Sequence, residues 1–327
     1  MQGHDFSLEW KRLADLPDAE GFAGMYAGVS NGALLVCGGA NFPEKPLWEG
    51  GAKRWTDRVF VMEPGGIGWQ DAAPLPKPLG YGASASLPQG LMLIGGCNAG
   101  GAVADCWLLR YEGGEVSCRA LASLPVTLTG HAAVVMGGKV YVQGGSLAVG
   151  EQDAENRMWI YDPEANSWSE GEPLPARGRF LHQMAVIGHT VYVLGGIGLK
   201  PGANGRAERE MLTEAWSYSA SGGWRRLAHL PRFCGAAPTP APVLSGRIFL
   251  LGGDDATVRG FTPANHPGFH NASLCYSPAA DAWSEAGEVA AARAVLPCAL
   301  WNGMAVIVNG EQRPGKRSPQ VWGLRLR

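Results

Sequence analysis

"VYVLGGI" (residues 191–197) sets valine at alternate positions against tyrosine and leucine, then stops at two glycines. A period-2 run of this composition reads as a β-strand. The glycine pair lets the chain turn where a Cβ would strike a neighbouring element. The same phrase recurs as "LLVCGGA" (34–40), "LMLIGGC" (91–97), "VYVQGGS" (140–146) and "IFLLGGD" (248–254), and in altered form as "VIVNGEQRPGKR" (306–317). The second glycines fall at 39, 96, 145, 196, 253 and 310, at intervals of 57, 49, 51, 57 and 57 residues. A second marker keeps step: Trp, six residues, Pro, at Trp10–Pro17, Trp69–Pro76, Trp168–Pro175 and Trp224–Pro231. Trp283 keeps the Trp without the Pro, and Cys118 stands seven before Pro125 where a Trp is expected.

Six units therefore share one grammar, close to the ~50-residue kelch period. Each reads as a four-stranded antiparallel blade: an apolar first strand, the strand ending in Gly-Gly, a loop, a third strand such as "RMWIYDP" (157–163), and a fourth opening at Trp. The Trp ring packs between blades and contributes on the order of 3–5 kcal/mol. A lone blade cannot bury both faces, so the expected fold is all-β, a six-bladed kelch-type β-propeller forming one domain over 1–327. The last unit lacks its own Trp strand, and the N-terminal "LEWKRLADLP" (8–17) has the right spacing to supply it. The ring should close by pairing the two ends of the chain.

Composition agrees. The chain has 327 residues, 46% hydrophobic and 17% charged, and its 48 Gly are about twice the usual ~7% share. Net charge is −2 without a long block of one sign, which argues against nucleic acid or a membrane surface as partner. No apolar run reaches the ~18 residues of a span, and "MQGHDFSLEW" has no signal-peptide core. Seven Cys without a CxxC pair read as buried free thiols, favouring a reducing compartment; prior removal of a signal peptide would instead point to the periplasm. The oligomeric state is left open.

In antiparallel blades the loops between second and third strands emerge on one face. Here these are 40–56, 97–104, 146–156, 197–213, 254–271 and 311–318. Long loops on a rigid scaffold carry binding and catalysis. That points to Glu311 and Arg317 near the channel, against the plain alternative of a surface ion pair in a Pro-Gly turn. Lys53, Arg54, Trp48 and Trp55 offer an aromatic–cation platform for a sugar, or else anchors for a long loop. Asn41 and Phe42 follow a Gly pair and should lie near the channel, while His131 and His182 open first strands and should face it. "HPGFH" (266–270) has metal-like spacing but no third ligand, so a polar rim is the better reading and no metal site is assigned. "GGIGLKPGANG" (195–205) follows no βαβ pattern and is not a phosphate loop. "NAS" (271–273) is a glycosylation sequon only in a secretory host.

"NGEQRPGKR" (309–317), "GFAGMYAGVSNGALLVCGGANFPEKPLWEGGAKRWTD" (21–57) and "YGASASLPQGLMLIGGCNAGG" (81–101) together resemble the N-acetylneuraminate epimerase (sialic acid mutarotase) family. The order of segments is rotated, as in the cyclically permuted mutarotases, which a closed ring tolerates. The resemblance implies an isomerase that interconverts the α- and β-anomers of N-acetylneuraminic acid or a related sugar acid, with no cofactor. It puts the family's acid–base carboxylate on Glu311 and its essential arginine on Arg317. Asn41, Phe42, Lys53, Trp55, His131, Arg179 and His182 are the substrate-binding candidates. The sequence departs from the kelch pattern at Leu79, where an Arg is common; Arg177 or Arg179, and Arg293, keep something like it in other blades. Two other classes compete: a non-catalytic kelch scaffold binding a protein or glycan, and a copper radical oxidase, whose Tyr/His/Tyr set with a Cys–Tyr crosslink is not visible. A hydrophobic loop face would favour the scaffold, and a polar pocket with converging Arg and Glu the mutarotase.

Overall fold

In each repeat the strand ending in the glycine pair is buried on both faces. Val191, Tyr192, Val193 and Leu194 are all buried, as are Leu34–Cys37 and Leu91–Ile94. A strand with apolar side chains on both faces needs a sheet on either side of it, and a ring of blades provides that. The computed structural model describes residues 6–150, 152–202 and 206–327, so the opening "MQGHD" and the end of the glycine-rich 195–205 stretch lie outside it.

The described residues form six four-stranded antiparallel blades. Blade 1 runs Tyr26–Ser30, Ala33–Cys37, Val59–Met62 and Gln70–Ala72; blade 2, Ala83–Leu87, Gly90–Asn98, Gly101–Glu112 and Glu115–Leu121. Blade 3 is Ala132–Met136, Lys139–Gln143, Met158–Asp162 and Ser167–Glu170; blade 4, Gln183–Ile187, Thr190–Leu194, Ala215–Ser219 and Gly223–Arg226. Blade 5 comprises Val243–Leu244, Arg247–Leu251, Ala272–Ser277 and Ala282–Glu288. Blade 6 joins Cys298–Trp301, Met304–Val308 and Val321–Leu326 to the N-terminal Leu8–Arg12, with Leu8 opposite Leu326 and Trp10 opposite Leu324. The ends of the chain do pair, as the spacing of Trp10 indicates.

Six apolar clusters sit one at each blade–blade interface. Between blades 6 and 1, Trp301, Val306 and Val308 meet Val36, Phe60 and Met62. Between blades 5 and 6, Phe249 and Leu251 meet Ile307 and Leu324, with Leu8 and Trp10 packed against them. In four of the five pairs the first glycine sits where the next blade arrives; Gly252 instead abuts His270 O of its own blade. A Cβ on Gly38 would lie 2.3 Å from Leu79 O, and one on Gly144 2.4 Å from Arg179 O.

The recurrent Trp has a polar task as well as a packing one. Its indole N–H donates to a carbonyl at or just beyond the end of the outer strand of the preceding blade. The pairs are Trp69 to Ala14 O (2.9 Å), Trp168 to Ala122 O (2.8 Å), Trp224 to Glu172 O (3.0 Å), Trp283 to Ala228 O (2.9 Å) and Trp10 to Glu288 O (3.1 Å). In blades 3 and 5 a turn residue completes the latch. Asn166 Oδ1 accepts from Ala122 N–H and Asp281 Oδ1 from Ala228 N–H, each at 2.9 Å. In those two blades the interblade contact is thus a hydrogen-bonded clamp on both the N–H and the C=O of one residue, in addition to apolar burial.

Residues 97–104 are not the loop expected of them. Gly101, Ala102 and Val103 pair with Asn98, Cys97 and Gly96, so blade 2 extends as a tight hairpin. Asn98 Oδ1 accepts from Gly100 N–H (2.8 Å) and Gly101 takes φ +116°, the short polar turn that lets the strands continue. All seven Cys are free and all but Cys118 are buried. No helix among the described residues is long and apolar enough to cross a membrane.

Candidate functional site

Six residues, one per blade, form a collar around the central channel. Gly24, Tyr81, Gly130, Leu181, Ala236 and Val295 each donate the backbone N–H to the preceding member's carbonyl, and Gly24 donates to Val295 O, over 2.7–2.9 Å. All six have positive φ, from 50° at Leu181 to 66° at Gly24. For Tyr, Leu, Ala and Val such a backbone costs roughly 1–3 kcal/mol each. The cyclic hydrogen bonding holds them in it. Nothing in the residue types signals this feature, because propensity favours Gly at every member.

Above the collar lies a cavity of about 360 Å³, lined from all six blades, with Lys53, Trp55, Tyr81, Arg209, Asp254 and Glu311 among its polar and aromatic residues. Below it the channel narrows to about 50 Å³. Tyr81, Gly130, Leu181, Ala236 and Val295 line both spaces, which makes the collar the floor of the mouth.

Glu311 reaches this mouth on a hairpin of its own, with Arg317 beside it. Glu311–Arg313 pairs with Lys316–Arg317 through the turn at Pro314-Gly315, so Glu311 and Arg317 are direct cross-strand partners. The Asn in place of the usual first glycine is buried at φ +59°. Asn is among the few side-chain-bearing residues that take this conformation readily. In the orientation that satisfies its amide, Asn309 donates to Pro319 O (3.2 Å) and accepts from Phe22 N–H (3.3 Å). It stitches the hairpin's base to the N-terminal segment.

Arg317 is buried, with Nη1 2.8 Å from Glu311 Oε1. The contact lies off the N–H axis, so Nη1 makes no aligned hydrogen bond; at this distance the charge interaction still holds. The guanidinium stacks over Phe42 (4.8 Å), and Nη2 donates to the Tyr81 hydroxyl at 3.4 Å. Lys53 Nζ lies 4.5 Å from the Tyr81 ring centre and 5.3 Å from that of Trp55. Burial pushes the Glu311 carboxyl above its ordinary range, and the charges of Arg317, Lys53 and Arg209 oppose that rise. The mouth is thus a cationic bowl around the poorly solvated Glu311 carboxylate, with Asp254 as a second carboxylate in its lining.

The residues singled out from sequence divide by location. Glu311, Lys53 and Trp55 line the mouth. Arg317 stands in its wall, facing a side pocket of about 130 Å³ that also takes Asn41 and Phe42, so those two lie behind the arginine and outside the mouth. Arg54 turns outward to pair with Glu44, and Trp48 stacks with Arg313 (5.1 Å), tying the 40–56 loop to the hairpin. His131 and His182 line the narrow channel, cut off from the mouth by the collar. Arg179 does not meet solvent at all. Its Nη2 pairs with Glu214 (2.9 Å) and its Nη1 with Gly195 O (3.0 Å), and burial pushes its pKa down to about 10. Its substrate-binding assignment is therefore withdrawn: it fastens blade 4 from inside. His266 and His270 each use Nδ1 to accept a backbone N–H, and His270 faces Asp255 at 3.5 Å. Tyr81, Arg209 and Asp254 were not singled out. Tyr81 alone left a trace, in a motif quoted for its resemblance.

His131 allows a pH prediction. Its Nε2–H donates to Ile94 O (3.1 Å), while burial pushes its pKa from 6.5 down to about 4. The unfolded chain binds this proton more readily than the folded one, so stability must fall as pH drops from about 6.5 toward 4. The full loss is roughly 3 kcal/mol. Urea unfolding at pH 7 and 4.5 should show a smaller acid loss in His131→Asn than in the wild type. Equal losses would count against a neutral, buried imidazole.

Part of the chain is similar to known proteins. Residues 2–118 match the family model described as N-acetylneuraminate epimerase, and 127–175 that of the Kelch motif. N-acetylneuraminate epimerase of Brucella suis is 36% identical over 129 residues, covering 35% of this chain and 33% of its own length. That of Yersinia pestis is 37% identical over 134 residues, covering 36% and 33%. The Haemophilus influenzae protein of the same name is 37% identical over 125 residues, covering 34% and 33%. The match spans about a third of the length of these relatives. The first family match contains Lys53, Trp55 and Tyr81 but stops short of Glu311 and Arg317. The solved structure of YjhT matches 96% of this chain and 99% of its own at a TM-score of 0.73 and 17% identity, a likeness of fold. The chain is a six-bladed kelch-type propeller whose residues 2–118 are similar to the N-acetylneuraminate epimerases.

Proposed function

We propose that this protein is a mutarotase acting on N-acetylneuraminic acid or a closely related 2-keto sugar acid. The observation that carries the reading is the partly buried Glu311 carboxylate among Arg317, Lys53 and Arg209 in a cavity that can hold one sugar. The names of the curated relatives support the substrate class. A cationic bowl suits an anionic sugar, and a carboxyl raised by burial suits proton transfer near neutrality.

Glu311 takes the proton of the anomeric hydroxyl as the bond from the anomeric carbon to the ring oxygen breaks. The open-chain ketone turns about its adjacent carbon–carbon bond and recloses on the other face. Arg317 divides its charge between Glu311 and the arriving substrate carboxylate. A second anion at the guanidinium weakens its hold on Glu311 and makes that carboxylate a better base. Because burial raises Glu311, the rate should decline with falling pH at a point above the ordinary carboxylate range.

The test is NMR of freshly released α-anomer, following conversion to β with and without protein in the short window before spontaneous exchange completes. Acceleration supports the reading. No acceleration by the wild type hands the chain to the non-catalytic scaffold class. Binding gives a separate check, since a neutral hexose offers the buried guanidinium no second carboxylate beside Glu311. Calorimetry should show sialic acid binding at least ~10-fold tighter than glucose, a difference of about 1.4 kcal/mol. Equal affinities would remove Arg317 from carboxylate recognition.

A further inference from the structure

Opening a hemiketal moves two protons: one leaves the anomeric hydroxyl and one arrives at the ring oxygen. Glu311 accounts for the first. The donor of the second must share the mouth with Glu311, carry a proton it can release, and not have that proton committed elsewhere.

Most hydroxyls and carboxylates around the mouth fail this. Ser146 Oγ–H is engaged by Asp153 and Ala148 O, and Thr129 Oγ1 donates to Tyr81 O (3.1 Å). Asp254 accepts from Ala256 N–H (2.9 Å), and the two channel histidines lie under the collar. Tyr81 is different. Its hydroxyl oxygen receives Arg317 Nη2 at 3.4 Å, long for a hydrogen bond, and its own proton has no acceptor among the described residues.

The ring is also held with unusual firmness. Its backbone sits at φ +61° between two collar hydrogen bonds, Tyr81 N–H to Gly24 O (2.7 Å) and Gly130 N–H to Tyr81 O (2.8 Å). A Cβ on Gly24 would lie 2.8 Å from the ring, so only glycine leaves it room, and Lys53 covers a ring face at 4.5 Å. A non-glycine residue in a strained backbone, aimed into a cavity and flanked by two cations, is how preorganised sites are built.

We propose that Tyr81 is a catalytic residue, the acid–base partner of Glu311 across the Arg317 guanidinium. This rests on the mutarotase reading above. The phenol gives its proton to the ring oxygen as the ring bond breaks and Glu311 takes the anomeric proton. Arg317 and Lys53 stabilise the phenolate. On reclosure the phenolate recovers its proton from the attacking hydroxyl, and Glu311 returns its own to the new anomeric oxygen. Protons and charge balance with no further reactant.

The experiment compares wild type, Tyr81→Phe, Glu311→Gln and the double variant in the NMR anomer-exchange assay, with melting curves of each. Tyr81→Phe keeps the ring, the Lys53 contact and the collar backbone. Its kcat should fall by ~10²-fold or more, with KM within about threefold and an unchanged melting temperature. Because both groups act in one step, the double variant should be little slower than the slower single variant. A Tyr81→Phe protein at the wild-type rate, or a double variant with fully multiplied losses, overturns the role of Tyr81 and leaves the mutarotase reading intact. A wild type that accelerates nothing overturns both.

Discussion

Glu311→Gln should abolish most of the acceleration, by ~10²–10⁴-fold, while sugar binding is largely retained. Glutamine keeps the shape of the side chain and its reach toward Arg317, but it cannot take a proton near neutral pH. It also removes the anion at 2.8 Å from Arg317 Nη1, so the guanidinium becomes fully available to a substrate carboxylate. Affinity for sialic acid should therefore hold or improve even as turnover collapses. That opposite movement separates loss of a base from loss of fold. A Glu311→Gln protein with wild-type turnover would transfer the base to another group of the mouth.

Deleting residues 1–17 should cost far more stability than the length of the segment suggests. The deletion removes the outer strand of blade 6, the five-residue ladder from Leu8 to Arg12 against Trp322 to Leu326, and the Trp10 clamp on Glu288 O. It also strips Leu8 and Trp10 from the blade 5–6 cluster and Leu16 from the blade 6–1 cluster. Loss of the Trp anchor alone is worth roughly 3–5 kcal/mol, against a typical total of about 5–15. A long unpaired strand edge at Val321–Leu326 is left as well, and such edges aggregate. The truncated chain should melt at least ~10 °C below the full one, or fail to melt cooperatively. Melting at the wild-type temperature would mean that the terminal strand does not fasten the ring.

The blades, their number and their closure were legible because they are written in near-neighbour terms. A glycine pair where the next blade crosses, a Trp two strands later and alternating apolar residues satisfy constraints that recur around the ring, each marker in five of six units, and repetition makes them visible. The site was legible only in part. Glu311 and Arg317 stood out as a break in the repeat, and Lys53 and Trp55 as a cation beside an aromatic. Arg179 carried the same chemical signal as Arg317. Whether a guanidinium meets a cavity or a neighbouring carboxylate depends on residues 35 positions away, and Glu214 is such a residue.

What the sequence determined alone is the propeller and the pairing of its ends, because each blade's demands are met by residues within its own repeat or the next. What only the tertiary structure decided is the mouth. The collar forces Tyr81, Leu181, Ala236 and Val295 into a backbone their side chains disfavour, and each hydrogen bond that does so comes from a different blade. Tyr81 is brought to Arg317 across 236 positions of sequence by ring closure, and no local pattern records a contact of that kind.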